Sequence, residues 1–179
     1  KGLRELKQMG VIDRMPRFAV VQAEGASPFY DQFQRGLSDL EAQRKPETLA
    51  TAIRIGDPVS WPKALHEVKH SGGTVERVTE QEIADAKAVI GLCGIGCEPA
   101  SAATLAGIRK LTAAGTIDRS ASVVAVLTGN VLKDPDYIFK YHTGKLADPA
   151  GGAIRGRYEN PPVTMPNDPD RIAEFLSQD

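Results

Sequence analysis

The sequence predicts an α/β fold in which a largely parallel sheet is flanked by helices. Three observations carry that expectation. Short unbroken apolar runs occur at Arg17–Gln22 and Ser122–Leu127, segments of helical periodicity separate the extended stretches, and Gly or Pro punctuates most junctions. Unbroken apolar runs suit strands covered on both faces. Strands that alternate with helical patterns build a parallel sheet through crossovers.

Leu3, Leu6 and Met9 form an apolar stripe on an opening helix that Gly10 closes. After the turn residues Asp13 to Pro16, Arg17–Gln22 is expected to form a buried parallel strand, bounded by Pro16 and Gly25. A short helix near Phe29–Phe33 precedes a surface loop that runs through Pro46. Thr51–Pro58 is expected to be extended. Ser60 then caps a helix that carries Trp61, Leu65 and Val68 on one face, with Pro62 in its tolerant first turn and Ser71-Gly-Gly73 as its stop. Thr74–Val78 alternates as a strand. Thr79-Glu-Gln-Glu82 is a capping box that launches a helix with Ile83, Ala86 and Ile90 inward, broken by the glycines at 91, 94 and 96. Pro99 opens a further helix lined by Ala100, Ser101, Ala102, Ala103, Ala106 and Gly107, small residues that permit close approach of another element or a ligand, and Gly115 ends it. Ser122–Leu127 is expected to be a second buried strand. The stretch from about 143 to 160 is expected to be an irregular surface excursion, Pro162–Met165 a final strand, and Asn167 the cap of a last helix built on Ile172, Phe175 and Leu176.

Composition removes several classes of function. The formal net charge is −1 with basic residues scattered along the chain, so electrostatics offers no argument for nucleic acid or an anionic membrane as partner. The apolar runs are far shorter than the roughly 20 residues of a membrane span, and a cytoplasmic location is expected. Cys93 and Cys97, with no second Cys or His pair nearby, do not make a zinc site and are expected to be buried reduced thiols. His66 and His70 stand four apart on a helix, but that segment supplies no suitable third ligand.

In open α/β sheets, ligands bind beyond the carboxyl ends of the strands. That rule selects the loops 23–28, 94–101 and 128–135. Thr128 follows an apolar run and precedes Gly129, so its hydroxyl either meets a heteroaromatic nitrogen at close range or bonds backbone at a strand end. In the first case a neutral hydroxyl favours an unprotonated ring nitrogen. Glu98, just before the helix opened by Pro99, either caps that helix or stands beside a bound cofactor. Arg54, a charge amid apolar residues in Ala52-Ile-Arg-Ile-Gly56, is either salt-bridged or turned to a polar cavity.

Four segments in order resemble the threonine synthase family: Arg17–Pro28 (RFAVVQAEGASP), Glu47–Ser60 (ETLATAIRIGDPVS), Gly96–Gly107 (GCEPASAATLAG) and Leu127–Pro135 (LTGNVLKDP). They cover the chain to about residue 140. The resemblance implies that residues 1–179 are a single partial domain, the C-terminal part of the large domain of a fold-type II pyridoxal-phosphate enzyme. It implies that Thr128 bonds the pyridine nitrogen with Gly129 in the same loop, that Glu98 lies near the ring and its 3′-oxygen, and that Ala52 and Ile53 belong to the strip beside the ring face, with Arg54 supporting the site. Asn130 stands where many relatives carry His. The family's Schiff-base lysine and its phosphate loop are expected upstream of Lys1, which opens on a helix without a Met, so no catalytic residue is expected within the chain.

The implied reaction of the complete enzyme converts O-phospho-L-homoserine and water to L-threonine and phosphate, and this segment alone is expected to be inactive. A homodimer is a further expectation. The EPAS stretch by itself would also suit another fold-type II enzyme, such as a serine/threonine dehydratase; a non-catalytic assembly or regulatory module that keeps the half-fold is the rival of a different class, against which Glu98 and Thr128 stand. The AIRIG segment together with LTGN and LKDP argues for the synthase.

Overall fold

Ala19–Ala23 (β1) and Thr74–Val78 (β2) pair in parallel, Ala19 opposite Thr74 and Ala23 opposite Val78, and this pair organises the fold in a computed structural model that describes residues 1–178. Between the strands the chain forms α2 (Pro28–Arg35), a 3₁₀ turn at Thr51–Ile53, and α3 (Trp61–His70). After β2 come α4 (Glu80–Leu92), α5 (Pro99–Ala113), a 3₁₀ turn at Val131–Lys133, α6 (Pro135–His142) and α7 (Pro169–Leu176), with α1 (Gly2–Gln8) preceding β1. This is an α/β arrangement with a parallel sheet flanked by helices. No helix among the described residues is long and apolar enough to cross a membrane.

Strand alternation decides which helix covers which face. Val20 and Val75 pack with Phe29 of α2 and with Trp61, Leu65 and Val68 of α3. On the other face Val21, Ala23 and Val78 join Ile83, Ala86 and Ile90 of α4 and Ala102, Ala103 and Ala106 of α5. The small-residue stripe of α5 serves this packing: a Cβ added to Gly107 would stand 3.0 Å from Val21 Cγ1. Two polar contacts confirm the register. Glu76, in register with Val21, lies 3.5 Å from Lys110 of α5, whereas Gln22 Oε1 on the opposite face accepts from Tyr30 N of α2 at 2.9 Å. The Thr79–Glu82 capping box forms as expected, Glu82 N donating to Thr79 Oγ1 and Thr79 N donating to Glu82 Oε2 at 2.7 Å.

Several local expectations are corrected. Ser122–Leu127 is irregular and, up to Val126, exposed, Val124 to 89%, because among the described residues no neighbouring strand offers it a hydrogen-bonded ladder. Pro162–Met165 likewise forms no strand. Thr51–Ile53 is a 3₁₀ turn rather than extended chain, and α4 continues through Gly91 to Leu92. Asp168 caps α7 in place of Asn167, accepting from Asp170 N and Arg171 N, and the helix leaves Ile172, Phe175 and Leu176 exposed. Cys97 is buried but Cys93, in the turn that follows α4, is exposed. Helix α6, for which the sequence carries no start signal beyond Pro135, buries Tyr137 and Tyr141 against Ala84 and Ala88 of α4.

Candidate functional site

Two of the three loops selected by the strand-end rule meet; the third does not join them. Loop 23–28 is hydrogen-bonded to the 43–47 segment: Gln43 Nε2 donates to Gly25 O at 2.8 Å and Glu47 N donates to the same carbonyl at 2.8 Å. The loops around residues 98 and 128 converge at the N-terminus of α5.

Glu98 occupies the N-cap position of α5 but makes no side-chain capping bond. Its carboxylate, 5% exposed, turns instead toward residues 128–133. There it pairs with Lys133 Nζ and accepts from Thr128 Oγ1 at 3.3 Å. The Glu98 bond holds the Lys133 ammonium above its ordinary pKa. Gly129 makes the approach possible. Its φ is +66°, and a Cβ there would stand 2.6 Å from Glu98 Oε1. Gly96 does the same for the 3₁₀ turn, since a Cβ would meet Val131 Cγ2 at 2.9 Å.

Thr128 is anchored by a residue that the sequence presents only as one of a row of small ones. Ser101, one helical turn beyond Glu98 and 3% exposed, accepts from Thr128 N at 2.8 Å and donates to Thr128 O, and its Oγ lies 3.1 Å from Thr128 Oγ1. Both alternatives posed for Thr128 thus have a share: its backbone is held by Ser101 while its hydroxyl stays at the exposed edge. The i, i+3 spacing of Glu98 and Ser101 was the available signal for this partnership. Lys133 in LKDP carried no such signal, because its link to Glu98 depends on how the 128–133 turn folds.

Ala52 and Ile53 lie in the 3₁₀ turn that contacts α5, with Ala52 exposed and Ile53 packed on the same cluster as Ala100 and Leu127. The strip, Glu98 and Thr128 therefore border one region. Arg54 forms no salt bridge among the described residues. It is exposed, and its Nε and Nη2 donate to Thr48 O at 2.9 and 2.7 Å, bracing the turn. Close by, a cleft of about 890 Å³ is bordered by Lys87, Cys97, Val131, Tyr137, Phe139 and Val163 among others. Lys87 is buried, which lowers its pKa, and its Nζ donates to Cys97 O at 2.6 Å. Among the described residues no group of His, Cys, Asp and Glu side chains is arranged to hold a metal ion.

A family model described as pyridoxal-phosphate dependent enzyme matches residues 1–129, a span that includes Glu98, Ser101, Thr128 and Gly129. A threonine synthase of Methanosarcina acetivorans is 48% identical over 139 residues, 77% of this chain and 34% of that protein. One from Methanocaldococcus jannaschii is 45% identical over 137 residues, 76% of this chain and 34% of its own. Threonine synthase 2, chloroplastic, of Arabidopsis thaliana is 35% identical over 166 residues, 92% of this chain and 31% of that protein. The chain thus spans about a third of the length of the curated relatives it matches. A crystal structure of a threonine deaminase overlays 60% of this chain and 38% of its own, at 18% identity and a TM-score of 0.47.

Proposed function

Because the chain belongs to the pyridoxal-phosphate dependent enzyme family, we propose that it supplies one wall of the cofactor site of a threonine synthase, which converts O-phospho-L-homoserine and water to L-threonine and phosphate. The observation that carries this reading is the convergence of Glu98, Ser101, Thr128 and Gly129 at the N-terminus of α5. The residues fit the group. Gly129, having no Cβ, lets the loop close on the Glu98 carboxylate so that Glu98 and Thr128 meet, and the hydroxyl of Thr128, an exposed residue, has only long bonds, 3.1 and 3.3 Å, to its neighbours. Ordinary O–H···O bonds are nearer 2.7–2.8 Å, so an incoming ring nitrogen competes well for that proton.

When bound, pyridoxal phosphate supplies an electron sink for carbanions on the substrate. The chain's own residues orient it. The Thr128 hydroxyl would donate to the pyridine nitrogen, and as a neutral group it would leave that nitrogen unprotonated. Glu98, which Gly129 allows to approach Thr128 and which pairs with Lys133, would stand beside the ring. Ala52 and Ile53 would supply the strip along the ring face, braced by Arg54 through Thr48 O. The lysine that anchors the cofactor covalently and the phosphate loop belong, in this reading, to the remainder of a complete enzyme, so residues 1–179 alone are inactive.

The test uses the complete holoenzyme. It should show visible absorbance from bound cofactor and release phosphate from O-phosphohomoserine; release of ammonia and a keto acid from threonine in its place would identify a dehydratase. Thr128→Val should reduce phosphate release at least tenfold, and unchanged kinetics would remove Thr128 from the site.

A further inference from the structure

We propose that Ser101 is a positioning residue that makes Thr128 an obligate hydrogen-bond donor toward the cofactor ring. The inference rests on the cofactor reading above and goes beyond it by naming the group that sets the direction of the bond. Protons are the limiting resource around these two hydroxyls. A serine hydroxyl carries one proton and two lone pairs. The proton of Ser101 is committed to Thr128 O, and one lone pair accepts from Thr128 N at 2.8 Å. Ser101 Oγ therefore has no proton left for Thr128 Oγ1, 3.1 Å away. Glu98 Oε1, the other neighbour of that hydroxyl at 3.3 Å, belongs to a carboxylate whose second oxygen, Oε2, pairs with Lys133, and it also only accepts.

Among the described residues, both side-chain neighbours of the Thr128 hydroxyl are thus acceptors toward it. The threonine proton has no competing donor opposite it, and both of its present acceptors lie beyond the ordinary bond length. A ligand atom that arrives from the open side meets a donor, so the site selects an acceptor such as an unprotonated heteroaromatic nitrogen and disfavours a protonated one. Ser101 also clamps both backbone polar groups of Thr128, which fixes the position of the Cα from which the hydroxyl projects.

The experiment is a double-mutant cycle in the complete holoenzyme, read as the dissociation constant of pyridoxal phosphate and as the pH dependence of the bound cofactor's visible band. Ser101→Ala should weaken cofactor binding about tenfold, the scale of a lost buried hydrogen-bond pair, and should shift the band's pH dependence toward the protonated ring. In a Thr128→Val background the same Ser101→Ala change should cost less than twofold, because Ser101 acts through the Thr128 hydroxyl. Equal losses in both backgrounds would show a purely structural serine and overturn the proposal. Should Ser101→Ala fail to fold, Ser101→Cys carries the same cycle, with a smaller loss that likewise vanishes on Thr128→Val. The two readings fail separately. If Thr128→Val itself leaves cofactor affinity unchanged, the cofactor reading is lost; if it weakens affinity and the Ser101 loss is simply additive, only the positioning role is lost.

Discussion

At Gly129 the backbone and the site make the same demand. A left-handed φ of +66° costs an L side chain roughly 1–2 kcal/mol, and the Cβ would also run into the Glu98 carboxylate. Gly129→Ala should therefore lower the melting temperature and displace Glu98 from Thr128, with loss of bound cofactor in the holoenzyme; retention of both would show that the loop relaxes freely. Glu80 makes a prediction about pH. Its carboxylate is buried and neither oxygen has a well-formed hydrogen bond. Burial raises its pKa above the ordinary 4.5, and the nearby Thr48 hydroxyl, the Leu49 amide and the charge of Arg54 offset this only in part. The folded protein therefore holds this proton more tightly than the unfolded chain does. Stability from Glu80 is fully present below pH 4.5 and is lost as pH rises through the raised value. Glu80→Gln should remove that component, so the difference in urea midpoint between variant and parent should grow from about pH 4 to about pH 7. A difference independent of pH would assign the effect to packing alone.

Among the elements, α5 bears the closest approach in the fold. Gly107 lies directly on Val21 of β1, and Ala102, Ala103 and Ala106, which precede it in the helix, share the core with Ala23 and Val78. Gly107→Ala improves intrinsic helix propensity by about 1 kcal/mol, yet overpacking of this kind typically costs about 1–3 kcal/mol. Packing should win and the variant should melt lower, whereas in a Val21→Ala background the same change should become neutral or stabilising. At the start of α4 the capping box satisfies otherwise orphaned amides. Thr79→Ser should be tolerated, while Thr79→Ala should cost about 1 kcal/mol in a denaturant melt.

Across the whole molecule, the region after α6 is fastened to α4 by a polar cluster centred on one buried carboxylate, beside the packing of Leu146 and Ile154 on Ala84 and Ala88. Asp85 accepts from Tyr141 Oη at 2.8 Å and from Gln81 Nε2 at 2.9 Å, and pairs with Arg157 at 3.2 Å. Tyr141 Oη in turn accepts from Tyr158 N at 3.2 Å, and Gln81 bonds both backbone groups of Arg155. Burial and the Asp85 carboxylate hold the Tyr141 phenol neutral well above its ordinary pKa. Tyr141→Phe removes the shared donor and should destabilise by about 1–3 kcal/mol. It should also speed tryptic cleavage at Arg155 and Arg157 relative to the rest of the chain; cleavage rates equal to the parent's would show that Arg157 and Gln81 suffice.

What the sequence by itself determined is local. The strand at Thr74–Val78, the capping box at Thr79, the apolar faces of α3 and α4 and the glycine after Thr128 all follow from residue periods and backbone preferences that act within a few positions. The strand-end rule and the family resemblance together named Glu98, Thr128 and Gly129 as candidate site residues. Tertiary structure decided the rest, because the deciding partners are distant in the chain. Ser122–Leu127 has the composition of a strand, but a strand exists only with a ladder partner beside it. Glu98 has the position of a cap, but Lys133 and Thr128, some thirty residues on, draw its carboxylate away from the helix end. Ser101 is one small residue among many in the sequence, and only the meeting of α5 with loop 128–133 makes its single proton the one that fixes how Thr128 faces a ligand.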